Sequence, residues 1–378
     1  MNTNPSRVVA GVEALGATVL VRAVEPIDER LLEALLAPWS DAGMRRSPRS
    51  PHGEPMPGAP SVALHPLVEA HLDEAASRLS TEVTLAALRD RAGTHLLLHA
   101  AGVARADGAV LAIIGPSGRG KTTTARQLAV RLGYVTDEAV AIARDGSVLP
   151  YRKPLSVVTA GRTEKVQIAP TDLGLLPLPD AGLGIAGLVL LERAGEGEEA
   201  SSVEPVGLAE ALVEIAQQTS YLAELTDPLV AIARTAEATG GVRRLRVGVP
   251  DRIPEAIDDL YAAGECEPWE QILPIRDSSP AGPHVPSVGY APAERVLDAV
   301  ECATGTVVLT ADREVRLLTG IAPLVWRGLC EGDDWARLER RAVERFGAPP
   351  HGTVREALVE VCDALVDAAV LERDERGE

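Results

Sequence analysis

The stretch "AVLAIIGPSGRGKTTTARQLAVRLG" (109–133) decides how the chain is organised around it. Its first six residues form an apolar run of strand length. A glycine-rich loop follows, and residues 121–133 carry a helix that ends at Gly133. Gly115-x4-Gly120-Lys121-Thr122 fits the pattern GxxxxGK[ST] in full, and it stands in the strand–loop–helix setting that the pattern's chemistry needs. Glycines let backbone N–H groups wrap a phosphate, and the helix N-terminus adds its positive end. Gly115, Pro116, Ser117, Gly118, Arg119, Gly120, Lys121, Thr122 and Thr123 are therefore the candidate phosphate-binding residues. In such a loop the lysine reaches the β- and γ-phosphates and the hydroxyl after it serves Mg²⁺, which assigns those tasks to Lys121 and Thr122.

The neighbours of this loop carry chemistry too. "THLLLHAAGVA" (94–104) reads as a strand and places His99 sixteen residues before Gly115. "YVTDEAVAIAR" (134–144) reads as another strand and places Asp137-Glu138 at the end of a strand or within it, sixteen residues after Lys121. Three adjacent strands can bring an imidazole, a lysine and a carboxylate pair to one sheet edge, where open α/β sheets bind ligands. A carboxylate there can hold Mg²⁺ or accept a hydroxyl proton. The plainer alternatives are a core histidine for His99 and a solvated turn for the acidic pair. "SVLPY" (147–151) and "GLVLLER" (187–193) read as further strands and 207–220 as a helix. Continuously apolar strands among helices predict an α/β fold with both sheet faces covered.

At 378 residues more than one domain is expected. Proline-rich stretches at 41–60 and 277–293 read as linkers. They split off a central block near 61–276 and a C-terminal block; with the strand pattern that begins at 94, the expected division is an α/β segment over 1–93, a central domain over 94–276, a linker over 277–293 and a C-terminal domain over 294–378. A net charge of −18 and a single Phe argue against nucleic acid and anionic membrane as partners. The four cysteines show no CxxC spacing, so buried free thiols in a reducing compartment are expected. With no signal-peptide pattern and no spanning apolar run, a cytoplasmic location is the expectation.

The "LHA" histidine, "GPSGRGKTT" and "GYVTDEAVAI", followed by "YRKPLSV" (151–157) and "GLVLLER", resemble the P-loop domain of HPr kinase/phosphorylase and its HPr kinase-like relatives over roughly 94–235. The resemblance implies an ATP- and Mg²⁺-dependent serine or threonine kinase. Asp137 would be the general base, Glu138 would support Mg²⁺ and His99 would assist. Lys153, Arg162 and Arg193 become candidate phosphate or substrate contacts. Family members often assemble as homo-oligomers.

The 294–378 block has another rhythm: short strands at 294–300, 306–312 and 314–320, then helices at 321–331, 334–346 and 353–372. This is a small α+β, winged-helix-like module. "VVLTADREVRLLTGIAPLVWRGLCEG" resembles the PqqD-like family, also called RiPP recognition elements. That resemblance implies binding of a precursor peptide's leader by strand addition along Glu314, Val315, Arg316, Leu317 and Leu318, with helix 353–372 beside it. Together the two resemblances imply a kinase that phosphorylates a leader-bearing precursor peptide. The alternatives are a nucleotide-gated binding module and a regulatory kinase acting on a folded protein.

Overall fold

The Ala109–Ile114 strand is buried because strands flank it on both sides. Gly184–Arg193 runs parallel to it and Ala100–Ala104 antiparallel. These strands belong to a computed structural model that describes residues 7–46, 58–158, 165–195, 201–274 and 288–374. The sheet runs in the order Ser202–Val206, Val242–Val247, Gly184–Arg193, Ala109–Ile114, Ala100–Ala104, Gly133–Thr136. Val242–Val247 is parallel to its neighbour Gly184–Arg193, whereas Gly133–Thr136 is antiparallel to Ala100–Ala104. The fold is therefore mixed α/β, with a parallel centre and an antiparallel margin.

Alternate residues Ala101, Val103, Leu111, Ile113, Val189 and Leu191 cluster with Ala125 and Leu128 of the Lys121–Leu128 helix. Their partners Val110, Ala112, Ile114, Leu188 and Leu190 are buried as well, which explains the uninterrupted apolar runs. The helix stops at Leu128, short of the expected Gly133. There the N–H groups of Arg131 and Leu132 both turn back to the Leu128 carbonyl.

Two segments that read as single strands are each broken in two. Residues 94–104 divide into Leu96–Leu98 and Ala100–Ala104, and residues 134–144 into Gly133–Thr136 and Val140–Ile142. The outlying pieces join a second sheet, ordered Val148–Leu149, Val140–Ile142, Leu96–Leu98, Thr219–Ser220. Hydrogen bonds mark both breaks. The His99 N–H donates to the Gln218 carbonyl at 2.7 Å instead of entering the central ladder. The Thr136 hydroxyl accepts from the Glu138 and Ala139 N–H groups at 3.2 and 3.4 Å and turns the chain.

Within residues 7–46 and 58–91 lies a sheet ordered Arg45–Arg46, Arg7–Ala14, Ala17–Ala23, Ser61–Leu64, with helices Glu29–Leu36 and Leu72–Arg91. Its buried residues, among them Val19, Leu35, Trp39 and Val83, share one cluster with Leu97, Ala141 and Tyr151 of the second sheet and its approach.

Contacts divide the chain into two units that do not follow composition. One holds 1–205, 218–221 and 242–264; the other holds 206–217, 222–241 and 265–378. In the second unit a sheet ordered Glu270–Gln271, Val296–Cys302, Gly305–Thr310, Val315–Leu318 packs against the helices Leu208–Gln217 and Pro228–Ala238. Helices Ala322–Glu331, Trp335–Phe346 and Val354–Asp367 share a core with it around Trp326 and Leu358. The last helix ends at Asp367, not 372. Leu371–Arg373 is a strand paired with Tyr290–Pro292, after Ala369 turns the chain at φ 58°. The expected linker 277–293 falls within this unit, mostly outside the described residues. Among the described residues no helix is long and apolar enough to cross a membrane.

Candidate functional site

The glycine loop begins where the Ala109–Ile114 strand ends, with Gly115 against Leu191 of the neighbouring parallel strand. Gly118 and Gly120 sit at φ 80° and 102°, a region that side chains with a Cβ rarely enter. Gly120 directly precedes the Lys121–Leu128 helix, and its carbonyl accepts from the Thr124 N–H at 2.8 Å. Pro116, Ser117, Gly118, Arg119 and Thr123 are exposed, whereas Lys121 and Gly115 are buried. The Lys121 ammonium donates to the carbonyls of Gly115, at 2.5 Å, and Pro116, at 3.1 Å. It therefore lies folded against the inside of its own loop. Burial lowers its pKa, and the charges of Glu138 and then Asp137 pull the other way.

The acidic pair stands at the break between Gly133–Thr136 and Val140–Ile142, and His99 at the break between Leu96–Leu98 and Ala100–Ala104. The place where two sheets part thus brings the two together: His99 Nδ1 is 3.2 Å from the Glu138 carbonyl oxygen. Burial, with Lys121 adding to it, holds the imidazole below its ordinary pKa. Glu138 and Asp137 oppose this without reversing it. His99 is consequently a neutral imidazole at pH 7.

Asp137 is buried and engaged on both oxygens. Oδ2 accepts from the Thr122 hydroxyl at 3.1 Å, which joins the start of the loop helix to the acidic pair. Oδ1 accepts from the Tyr134 hydroxyl at 3.1 Å and lies 3.4 Å from Lys153 Nζ. Lys153 also reaches Glu138 Oε2 at 3.3 Å. Its side chain is 2% exposed. Burial works to lower its pKa, but the two carboxylates outweigh burial and the net direction is upward. Tyr134, fully enclosed, is pushed well above its ordinary value by burial and by Asp137, so its hydroxyl stays a donor.

Lys153 therefore lies against the carboxylates. It arrives on a segment anchored at two points. Tyr151 OH pairs with the Thr84 hydroxyl at 2.8 Å, and Arg152 donates to the carbonyls of Tyr134, at 2.5 Å, and Leu176, at 3.0 Å. Thr84 belongs to the Leu72–Arg91 helix, so the N-terminal region helps to place this lysine. Arg193, at the end of its strand, points a guanidinium NH2 at the Gly118 carbonyl, 3.5 Å away. Arg162 lies outside the described residues.

Sequence reasoning passed over Tyr134 and Arg152. A tyrosine inside a buried strand needs a partner for its hydroxyl, and that requirement could have flagged Tyr134.

The donor set around Thr122 suits Mg²⁺, which takes hard oxygen ligands and usually keeps one or two carboxylates plus phosphate oxygens. Among the described residues no group of three or more His, Cys, Asp or Glu side chains is arranged to hold a metal by itself. The Thr122 hydroxyl beside the Asp137 carboxylate is the half-site that a metal–phosphate complex would complete.

In the second unit Val315–Leu318 is, among the described residues, the last strand of its sheet, paired with Gly305–Thr310. Glu314 precedes the strand, its carbonyl accepting from the Thr310 N–H in the turn. Leu317 is exposed.

No profile of a known protein family matches the chain, and no curated protein matches it.

Proposed function

We propose that the chain is an ATP-dependent kinase, built on a P-loop domain like that of HPr kinase-like proteins, which phosphorylates a serine or threonine hydroxyl. One observation carries this reading. Lys121, Thr122, Asp137, Glu138 and His99 converge at the mouth of the glycine loop, from three separate segments of the chain. A loop that only held a nucleotide would need Lys121, Thr122 and the backbone amides. A buried carboxylate tied to the loop hydroxyl, with a second one beside it, adds what phosphoryl transfer requires: a place for metal and an acceptor for a proton.

In this reading the loop amides and Lys121 bind the β- and γ-phosphates, and the N-terminus of the Lys121–Leu128 helix favours their charge. Thr122 and a carboxylate of the acidic pair would hold Mg²⁺, which when bound neutralises phosphate charge. His99, neutral and bonded to the Glu138 backbone, fixes that residue's position. Arg193, whose guanidinium faces the Gly118 carbonyl, would meet the charge that develops on the transferred group.

The C-terminal residues support a peptide as the acceptor. Val315–Leu318 is an edge strand, and edge strands can extend a sheet with an incoming chain. In the reading of this module as PqqD-like and winged-helix-like, it binds the leader of a precursor peptide. Covalent linkage then raises the local concentration of the acceptor residue around the kinase site.

The test is mass spectrometry of candidate precursor peptides, encoded beside the gene, incubated with the chain, ATP and Mg²⁺. The expected result is a gain of one phosphate group on a serine or threonine. Lys121→Ala should abolish it, and deleting the leader should slow it severely. A leader that binds the chain yet is never phosphorylated would sink the reading.

A further inference from the structure

We propose that the acidic pair divides its work by position: Asp137 is the metal-side ligand beside Thr122, and Glu138 takes the proton from the acceptor hydroxyl. The inference rests on the kinase reading and assigns the two carboxylates the reverse of the roles that the resemblance implies.

The two side chains sit in different surroundings. The Asp137 side chain is 5% exposed, and both of its oxygens are in use. Tyr134 and Lys153 are on Oδ1, and Thr122 is on Oδ2. An acceptor hydroxyl on a peptide must arrive from solvent, and Asp137 offers it almost no surface. What Asp137 does offer is Oδ2, directed to the hydroxyl that GxxxxGK[ST] loops use for metal.

Glu138 is the opposite case. Its side chain is 41% exposed, and its pairing with Lys153 uses Oε2. Its backbone is fixed from both sides, the N–H on Thr136 Oγ1 and the carbonyl at His99 Nδ1. A carboxylate on a fixed stem at the open rim is reachable by a substrate group, the first requirement of a general base. Lys153 Nζ lies between the two, 3.4 Å from Asp137 Oδ1 and 3.3 Å from Glu138 Oε2.

The step balances as follows. The acceptor oxygen forms a bond to the γ-phosphorus, and the bond from that phosphorus to the β,γ-bridging oxygen breaks. ADP leaves with the electron pair, and the hydroxyl proton passes to the Glu138 carboxylate.

The experiment titrates a fluorescent ATP analogue into the full chain with MgCl₂ or with EDTA. It compares wild type, Thr122→Val, Asp137→Asn and Glu138→Gln, and follows phosphate release with water as acceptor. Thr122→Val and Asp137→Asn should lose about 10–100-fold of the affinity that Mg²⁺ adds. Glu138→Gln should keep the wild-type Mg²⁺ effect while its phosphate release falls by about 10²–10⁴. Thr122→Val keeps the test sound if Asp137→Asn does not fold, because it leaves the carboxylate in place. The division is overturned if Glu138→Gln loses the Mg²⁺ effect while Asp137→Asn keeps it, or if Glu138→Gln releases phosphate at the wild-type rate. A wild-type chain that binds no Mg²⁺–nucleotide overturns the kinase reading, and this inference with it.

Discussion

His99 is where a single residue ties the site to stability. Its imidazole is held below its ordinary pKa, chiefly by burial, so the folded state resists a proton that the unfolded chain accepts near 6.5. The unfolded state therefore binds more protons below that value, and stability falls as pH drops through it toward the lower folded pKa. Chemical denaturation at pH 7.5 and 5.5 should show the wild type losing stability in acid. His99→Gln, which can still donate to the Glu138 carbonyl, should show a smaller loss. An equal loss in both proteins would remove His99 as the source. His99, Lys121, Thr122 and the acidic pair were all legible as candidates, because each residue type announces its chemistry. Tyr134 and Arg152 were not. Their importance comes from what they touch, Asp137 and the Tyr134 carbonyl, and spacing along the chain does not encode those contacts.

Among the elements, the helix Pro228–Ala238 shows how a fold can supply a cap that the local sequence lacks. Asp227 stands at its N-cap position but makes no side-chain capping bond. The cap comes from Asp298, fully buried on another strand, whose Oδ2 accepts from the Leu229 and Val230 N–H groups at 2.8 and 3.1 Å. Its Oδ1 accepts from Gln271 Nε2 and the Ala299 N–H. Asp298→Ala would strand two buried helix N–H groups at about 1–3 kcal/mol each, so a loss of about 2–6 kcal/mol is expected in urea denaturation. Asp298→Asn keeps one acceptor oxygen and should lose less. By contrast, the helices Trp335–Phe346 and Val354–Asp367 carry their own caps in Asp334 and Thr353, and their starts were readable to within a residue. Strand ends were less legible. The breaks at His99 and at 137–139 depend on which sheet each half joins, and an apolar run looks the same on either side of such a break.

At the scale of the molecule, the two units interleave along the chain. It crosses between them at 205/206, 217/218, 221/222, 241/242 and 264/265. The unit that holds the C-terminal block is thus built from three segments of the chain, and its sheet packs against the helices Leu208–Gln217 and Pro228–Ala238 from an earlier part of the sequence. A fragment of residues 288–378 loses these helices, the Asp298 partners on Leu229 and Val230, and the Ile272 carbonyl that accepts from the Trp326 indole at 3.1 Å. It should show weak near-UV circular dichroism and self-association in size-exclusion chromatography. A well-dispersed NMR spectrum from the monomeric fragment would contradict this.

The sequence alone determined the glycine loop, the strand and helix around it, and the identity of the candidate site residues. Each of these is local: glycine conformations, a helix start and an apolar run are set by neighbours within a few residues. The tertiary structure decided which side chains meet. It placed Lys153 against the carboxylates, buried Asp137 while leaving Glu138 at the rim, and packed mid-sequence helices onto the C-terminal sheet. Those outcomes depend on strand order and on where two sheets part. Many residues far apart in the chain settle these together through burial and hydrogen-bond satisfaction, and no short stretch encodes them.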